Sequence, residues 1–150
     1  MMQRRWEKKE VRTVLHRLHT DLCDLTRTWP ENQGENSGEE MRLISMRLMD
    51  EGNMIVRVKT QECSGEINQA RADLGEAIRR LFGARNFGII SDDVYEIFRD
   101  RCKCCLRMLN GLESSLDSEA ESESSRAFRL ERKFEDVSEV RQPALQLATA

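Results

Sequence analysis

The sequence predicts an all-α protein: an antiparallel helical bundle, or coiled-coil-like helical hairpins, followed by an acidic Ser-rich tether and a short C-terminal helix. Three observations predict it. Proline occurs only at Pro30 and Pro143, so the strongest helix breaker is absent from residues 31 to 142. Apolar residues recur three and four apart in five segments, the period of one helix face. The single β-branched run, Ile55, Val56 and Val58, has no second strand-like run to pair with, and a lone strand leaves its backbone groups unsatisfied.

The first segment carries Val11, Leu15, Leu18, Leu22, Leu25 and Trp29 at spacings of four, three, four, three and four, predicting a helix over about 5–29 that Pro30 ends. The polar stretch from Glu31 to Asn36, with Gly34 inside it, reads as a turn. Ser37 and Glu40 have the spacing of a capping box and open a second helix over about 38–62, striped by Met41, Ile44, Leu48, Ile55 and Val58. Glu51 fills a seam position beside Gly52 and Asn53, and these residues predict a kink or break at Gly52. A third helix, about 65–82, shows Ile67, Ala70, Leu74, Ala77 and Leu81, with Ser64 as cap and Gly83 just past its end. The short link that follows turns the chain back on itself. Ser91 caps the fourth helix, Asp92 and Asp93 oppose its positive end, and Ile90 is placed to staple onto Tyr95.

That fourth helix has the most regular seam: Tyr95, Phe98, Cys102, Cys105, Leu109, Leu112 and Leu116, predicting an element over about 91–116. The domain division read from these patterns is a helical body over 1–112, an acidic Ser-rich linker over 113–126, an amphipathic helix over 127–142 and a patternless tail over 143–150. The linker stretch from Glu113 to Ser125 holds five acids, six serines and no base, a composition with little to bury.

The 24 Lys plus Arg against 27 Asp plus Glu leave a net charge of −3, which argues against a basic nucleic-acid binder. No run approaches the roughly 18 apolar residues of a membrane span. The opening residues hold no apolar signal region, so an intracellular protein, cytoplasmic or nuclear, is the expectation. Five cysteines, an odd number, then read as free thiols.

Little here carries chemistry. Cys102 and Cys105 have the two-residue spacing of a metal pair, and His19 and Cys23 could supply further donors, but the pair lies on a helical seam rather than a tight turn, where buried cysteine is the simpler reading. His16 and His19 are the only imidazoles, and the stripe puts them on or beside the outer face. Neither has a plausible nucleophile nearby in sequence, no carboxylate dyad stands out, and no phosphate-binding or hydrolase motif occurs. The cluster Arg4, Arg5, Lys8, Lys9 and Arg12 is interleaved with acids and reads as a solvated helix start. Ser114 and Ser118 each precede an acid by three residues and are candidate phosphorylation sites.

What the residues specify is seams. The functional expectation is a non-enzymatic interaction module, an adaptor or complex subunit without a cofactor, forming homo- or hetero-oligomers. Its expected partner contacts are Leu109, Leu112, Leu116, Leu130, Phe134 and Val137. Met41, Met46, Met49 and Met54 suit an adaptable contact surface or a loose core. A cysteine-based metal or redox sensor is the alternative.

Overall fold

The computed structural model describes the backbone of residues 5–30 and 37–137, and side chains within those ranges as far as 122. Among the described residues the protein is all-α: four α-helices and two short 3-10 segments, without a strand. The helices are α1 (Lys8–Leu25), α2 (Gly38–Arg57), α3 (Cys63–Asn86) and α4 (Asp92–Val137). The 3-10 segment Thr26–Thr28 prolongs α1, and Thr60–Glu62 precedes α3. The chain divides into two units, residues 1–115 and 116–150.

In the first unit each helix runs antiparallel to the next. Lys8 at the start of α1 donates to the carbonyl of Val58 just past α2, 3.0 Å away, while Arg42 near the start of α2 donates to the carbonyl of Thr26 beyond the end of α1. Arg47 with Asp73 and Glu40 with Arg80 set the same sense for α2 and α3. Between α3 and α4, Arg71 forks onto both carboxylate oxygens of Glu113, at 3.2 and 2.8 Å. Arg101 of α4 reaches Asp21 of α1 at 2.7 Å. The core is drawn largely from the predicted stripes: Val11, Leu15, Leu18 and Leu22 of α1, Met41, Ile44, Leu48 and Ile55 of α2, Ile67, Leu74 and Leu81 of α3, and Cys102, Leu109 and Leu112 of α4 are all almost inaccessible to solvent, joined by Met108, which no stripe contains, while Leu25, Val58 and Phe98 are only partly buried. Their removal from water is the main term holding the helices together.

The caps explain most boundaries. The Ser37 hydroxyl accepts from the Glu40 amide, and the Ser91 hydroxyl accepts from the Val94 amide, as their positions predict. Ile90 and Tyr95 are both buried. At α3 the reading from sequence needs correction. The helix starts at Cys63 rather than after Ser64, without a side-chain cap, because the preceding 3-10 turn already feeds it. It also passes through Gly83 to Asn86. Gly88, at φ +73°, is the residue that stops it: the Ile89 amide donates to the Ala84 carbonyl and the Gly88 amide to the Arg85 carbonyl, a Schellman ending. Two glycines five residues apart offer the same stop signal, and burial of Ala84 makes the extra turn worthwhile. Around that turn Phe82 meets Tyr95 edge-on with centroids 6.0 Å apart, and the Arg85 guanidinium lies over both rings.

The expected break at Gly52 is absent. Helix α2 is continuous to Arg57, and Gly52 is buried where α1 crosses it: a Cβ there would lie 3.4 Å from Arg12 Cα and from Leu15 Cδ1, ordinary contact. Gly38 is tighter, since its Cβ would fall 2.9 Å from the Thr26 carbonyl oxygen. Opposite effects are therefore expected. Gly52→Ala should stabilise by up to about 1 kcal/mol through helix propensity, and Gly38→Ala should cost about 1–3 kcal/mol by overpacking against backbone. Urea unfolding midpoints of the two variants check this.

The fourth helix does not end near residue 116. Its backbone stays helical through the acidic serine stretch to Val137, with no separate helix beginning at 127. Neither Pro nor Gly lies between Gly111 and Pro143, and Glu and Ala are good helix formers, so nothing local stops propagation. Residues 138–142 of the predicted terminal helix and the tail 143–150 lie outside the described residues.

Candidate functional site

Helix α2 carries two apolar lines. One, Met41, Ile44, Leu48 and Ile55, is buried; the other, Leu43, Met46 and Met54, is 45, 46 and 39 % exposed. Leu43 and Met54 are eleven residues apart, about three turns, and Met46 is one turn from Leu43, so they share a face away from the core. Leu43, Met46 and Met49 line a groove of about 400 Å³ whose far wall is His19 and Cys23 of α1, with Glu39 and Arg42 also lining it.

The polar wall has a defined arrangement. The Ser45 hydroxyl donates to the Arg42 carbonyl at 2.8 Å, the usual back-bond of serine in a helix. Its single proton is thereby used, so at the 3.0 Å contact with His19 the Ser45 oxygen accepts, and His19 Nδ1 carries the proton. Nε2 of a neutral His19 is left as the ring's acceptor. Cys23 Sγ lies 3.7 Å from Nδ1, 3.9 Å from Nε2 and 3.7 Å from Ser45 Oγ. Thiol, imidazole and a third group that orients the imidazole are therefore together. The sequence places Cys23 one turn after His19, but the orienting group comes from α2 and is visible only in the fold. His16 is also an interhelical residue, its Nε2–H donating to Asn53 Oδ1 at 3.0 Å. The stripe of α1 places His16 and Cys23 on the outer face and His19 only at its flank; α2 packs across that side, so His16 and Cys23 are half-buried instead.

The other cysteines are placed apart from this wall. Cys102 is fully buried and Cys105 nearly so; burial pushes their thiols up to about 12 and about 11. Cys104 and Cys105 line a different cavity of about 360 Å³, shared with Trp6, Leu18 and Met108. Cys104 is exposed and accepts from Arg107 at 3.0 Å. The bridging set of Cys102, Cys105, His19 and Cys23 is not assembled, and no group of three His, Cys, Asp or Glu side chains suited to a metal occurs among the described residues.

Of the expected partner contacts, Leu109, Leu112 and Leu116 are buried within the chain, at 0, 1 and 8 % exposure, because the seam of α4 is used by its own fold. The side chains of Leu130, Phe134 and Val137 lie outside the described residues. Ser114 and Ser118 are exposed, on helical backbone rather than in a tether.

One feature missed from sequence is a buried carboxyl pair. Glu51 and Asp73 are 7 and 4 % exposed, and each has one buried oxygen, Oε2 and Oδ2, without a donor. Arg47 Nε sits 3.3 Å from Asp73 Oδ1. Burial first, then the hydrogen bond with Asp73 and its charge, push the Glu51 carboxyl up to about 9, against the opposing pull of Arg47. Burial beside a second carboxyl thus favours the protonated form of Glu51. The signal in the sequence was Glu51 on the apolar seam; its partner on α3 left no such mark.

No family model, curated protein or solved structure matches this chain. Among the described residues no helix is long and apolar enough to cross a membrane.

Proposed function

We propose that the chain is a non-enzymatic interaction module, a four-helix bundle that works inside the cell, in the cytoplasm or nucleus, as an adaptor or complex subunit. The observation that carries this reading is the second apolar line of α2. Folding uses only one face of a surface helix, and Leu43, Met46 and Met54 on the opposite face leave apolar surface in water that the core does not use. Methionine adapts its shape to varied apolar surfaces, so the partner surface is read as the apolar face of an amphipathic helix laid along α2. Leu109, Leu112 and Leu116 contribute stability to the module rather than contacts with the partner. Ser114 and Ser118 are retained as phosphorylation candidates that add charge to α4.

The test is a photo-crosslinking residue placed at position 43, or at the exposed Lys103 of α4 as control, in cells that express the full chain. A discrete crosslinked species is expected from position 43 alone, and Met46→Glu should remove it. Equal products from both positions, or insensitivity to Met46→Glu, would refute docking on this face.

A further inference from the structure

We propose that Cys23 is an acceptor for an acyl group, taken in thioester linkage from an acyl thioester donor, with the acyl chain lying in the groove between α1 and α2. The chemistry rests on the wall itself and not on the partner reading, although both use the same face of α2. Cys23 is half-buried rather than sealed, and its sulfur lies within 4 Å of an imidazole whose orientation Ser45 fixes. At 3.9 Å the sulfur is farther from Nε2 than a formed nucleophile–base hydrogen bond, and binding of the donor has to draw the two together for the proton to pass. The groove supplies selectivity: beyond the thiol it presents Leu43, Met46 and Met49, within a volume of about 400 Å³, at the small end of ligand pockets. A linear hydrocarbon fits the side formed by Leu43, Met46 and Met49, whereas beyond His19 a polar electrophile meets only Glu39 and Arg42. Among the other thiols, Cys63, Cys102 and Cys105 are buried, and Cys104 has an arginine but no imidazole beside it.

The step balances without an oxidant. His19 Nε2 takes the proton from Cys23 Sγ, the sulfur attacks the donor's carbonyl carbon, and a new carbon–sulfur bond forms. The donor's carbon–sulfur bond then breaks, and its leaving thiolate takes the proton back from Nε2. One thioester is exchanged for another, and a free thiol is released. His19 is the base of this exchange, and Ser45 is a positioning residue that holds Nδ1 protonated.

With an acyl chain in place, Met46 and Met49 are covered and docking on that part of α2 is lost. The modification would thus set whether the module binds.

The experiment uses the full chain with decanoyl-coenzyme A and acetyl-coenzyme A, read by intact mass and by mapping of hydroxylamine-sensitive adducts. The expected result is a decanoyl adduct on Cys23, formed about tenfold or more faster than on Cys104, because burial of the longer chain favours only the groove site. Acetyl transfer should show little preference between the two thiols. Cys23→Ser should remove the preferred adduct, and His19→Gln should slow it by about a hundredfold or more while leaving labelling of Cys104 unchanged, which controls for folding. Ser45→Ala should shift the pH profile of acylation rather than abolish it. Equal rates at Cys23 and Cys104, or no dependence on chain length, would overturn the proposal. Loss of the position-43 crosslink with acylation intact would remove the partner reading alone; an intact crosslink without acylation would remove this inference alone.

Discussion

Replacing Glu51 with Gln is expected to make the protein more stable at pH 7.5 and indistinguishable from the parent at pH 4. The folded chain holds the Glu51 proton up to about pH 9, whereas an unfolded carboxyl releases it near 4.5. Below 4.5 both states carry the proton, and the contribution is fully present. Between these values the unfolded state binds fewer protons, so stability falls by about 1.4 kcal/mol per pH unit. From pH 5.5 to 7.5 the loss attributable to this group is therefore roughly 2–3 kcal/mol, a large part of the margin of a small domain. Glutamine is uncharged like the protonated carboxyl and has no proton to lose in this range, so it removes that slope. Arg47 and Glu66 also act on the carboxyl and are unchanged in the variant. Urea unfolding across pH 4 to 8.5 measures it; a slope equal in parent and variant would show that Glu51 is ionised in the native state.

The second large effect separates core from surface. Leu109→Ala, at a position with 0 % exposure, should cost about 2–5 kcal/mol through lost burial and the cavity left behind. Leu43→Ala and Met46→Ala, each nearly half exposed, should change stability by less than about 0.5 kcal/mol and act instead on the position-43 crosslink. A Leu109 variant that unfolds at the parent's denaturant midpoint, and has lost only its crosslink, would restore the α4 seam as the partner surface.

How far each feature could be read depends on how local its cause is. Ser37, Ser91 and the three-four stripes act over one or two turns, and the structure shows the two caps and most of the stripe residues as far as Leu116 as expected. The stop at Gly88 was ambiguous because Gly83 offers the same local freedom, and only the burial of Ala84 selects between them. Gly52 was misread for the opposite reason: its local cost is real, but the site is where α1 crosses α2, which no local rule contains. The candidate site is not legible in the sequence: His19 and Cys23, one turn apart, read there only as metal-donor candidates without a nucleophile near the imidazole, and Ser45, Leu43 and Met46 come from another helix.

For the described residues the sequence by itself determined that the protein is helical and, as far as residue 122, which face of each helix carries most of the core, because hydrophobic period and proline placement act within a single helix. The tertiary structure decided what those faces meet. It turned the α4 leucine seam inward, set Glu51 against Asp73 so that one proton is retained, and brought Ser45 to the His19 ring beside Cys23. The last two join residues 22 to 26 positions apart, fixed by how α1, α2 and α3 lie against one another. Periodicity along one helix carries no information about that distance.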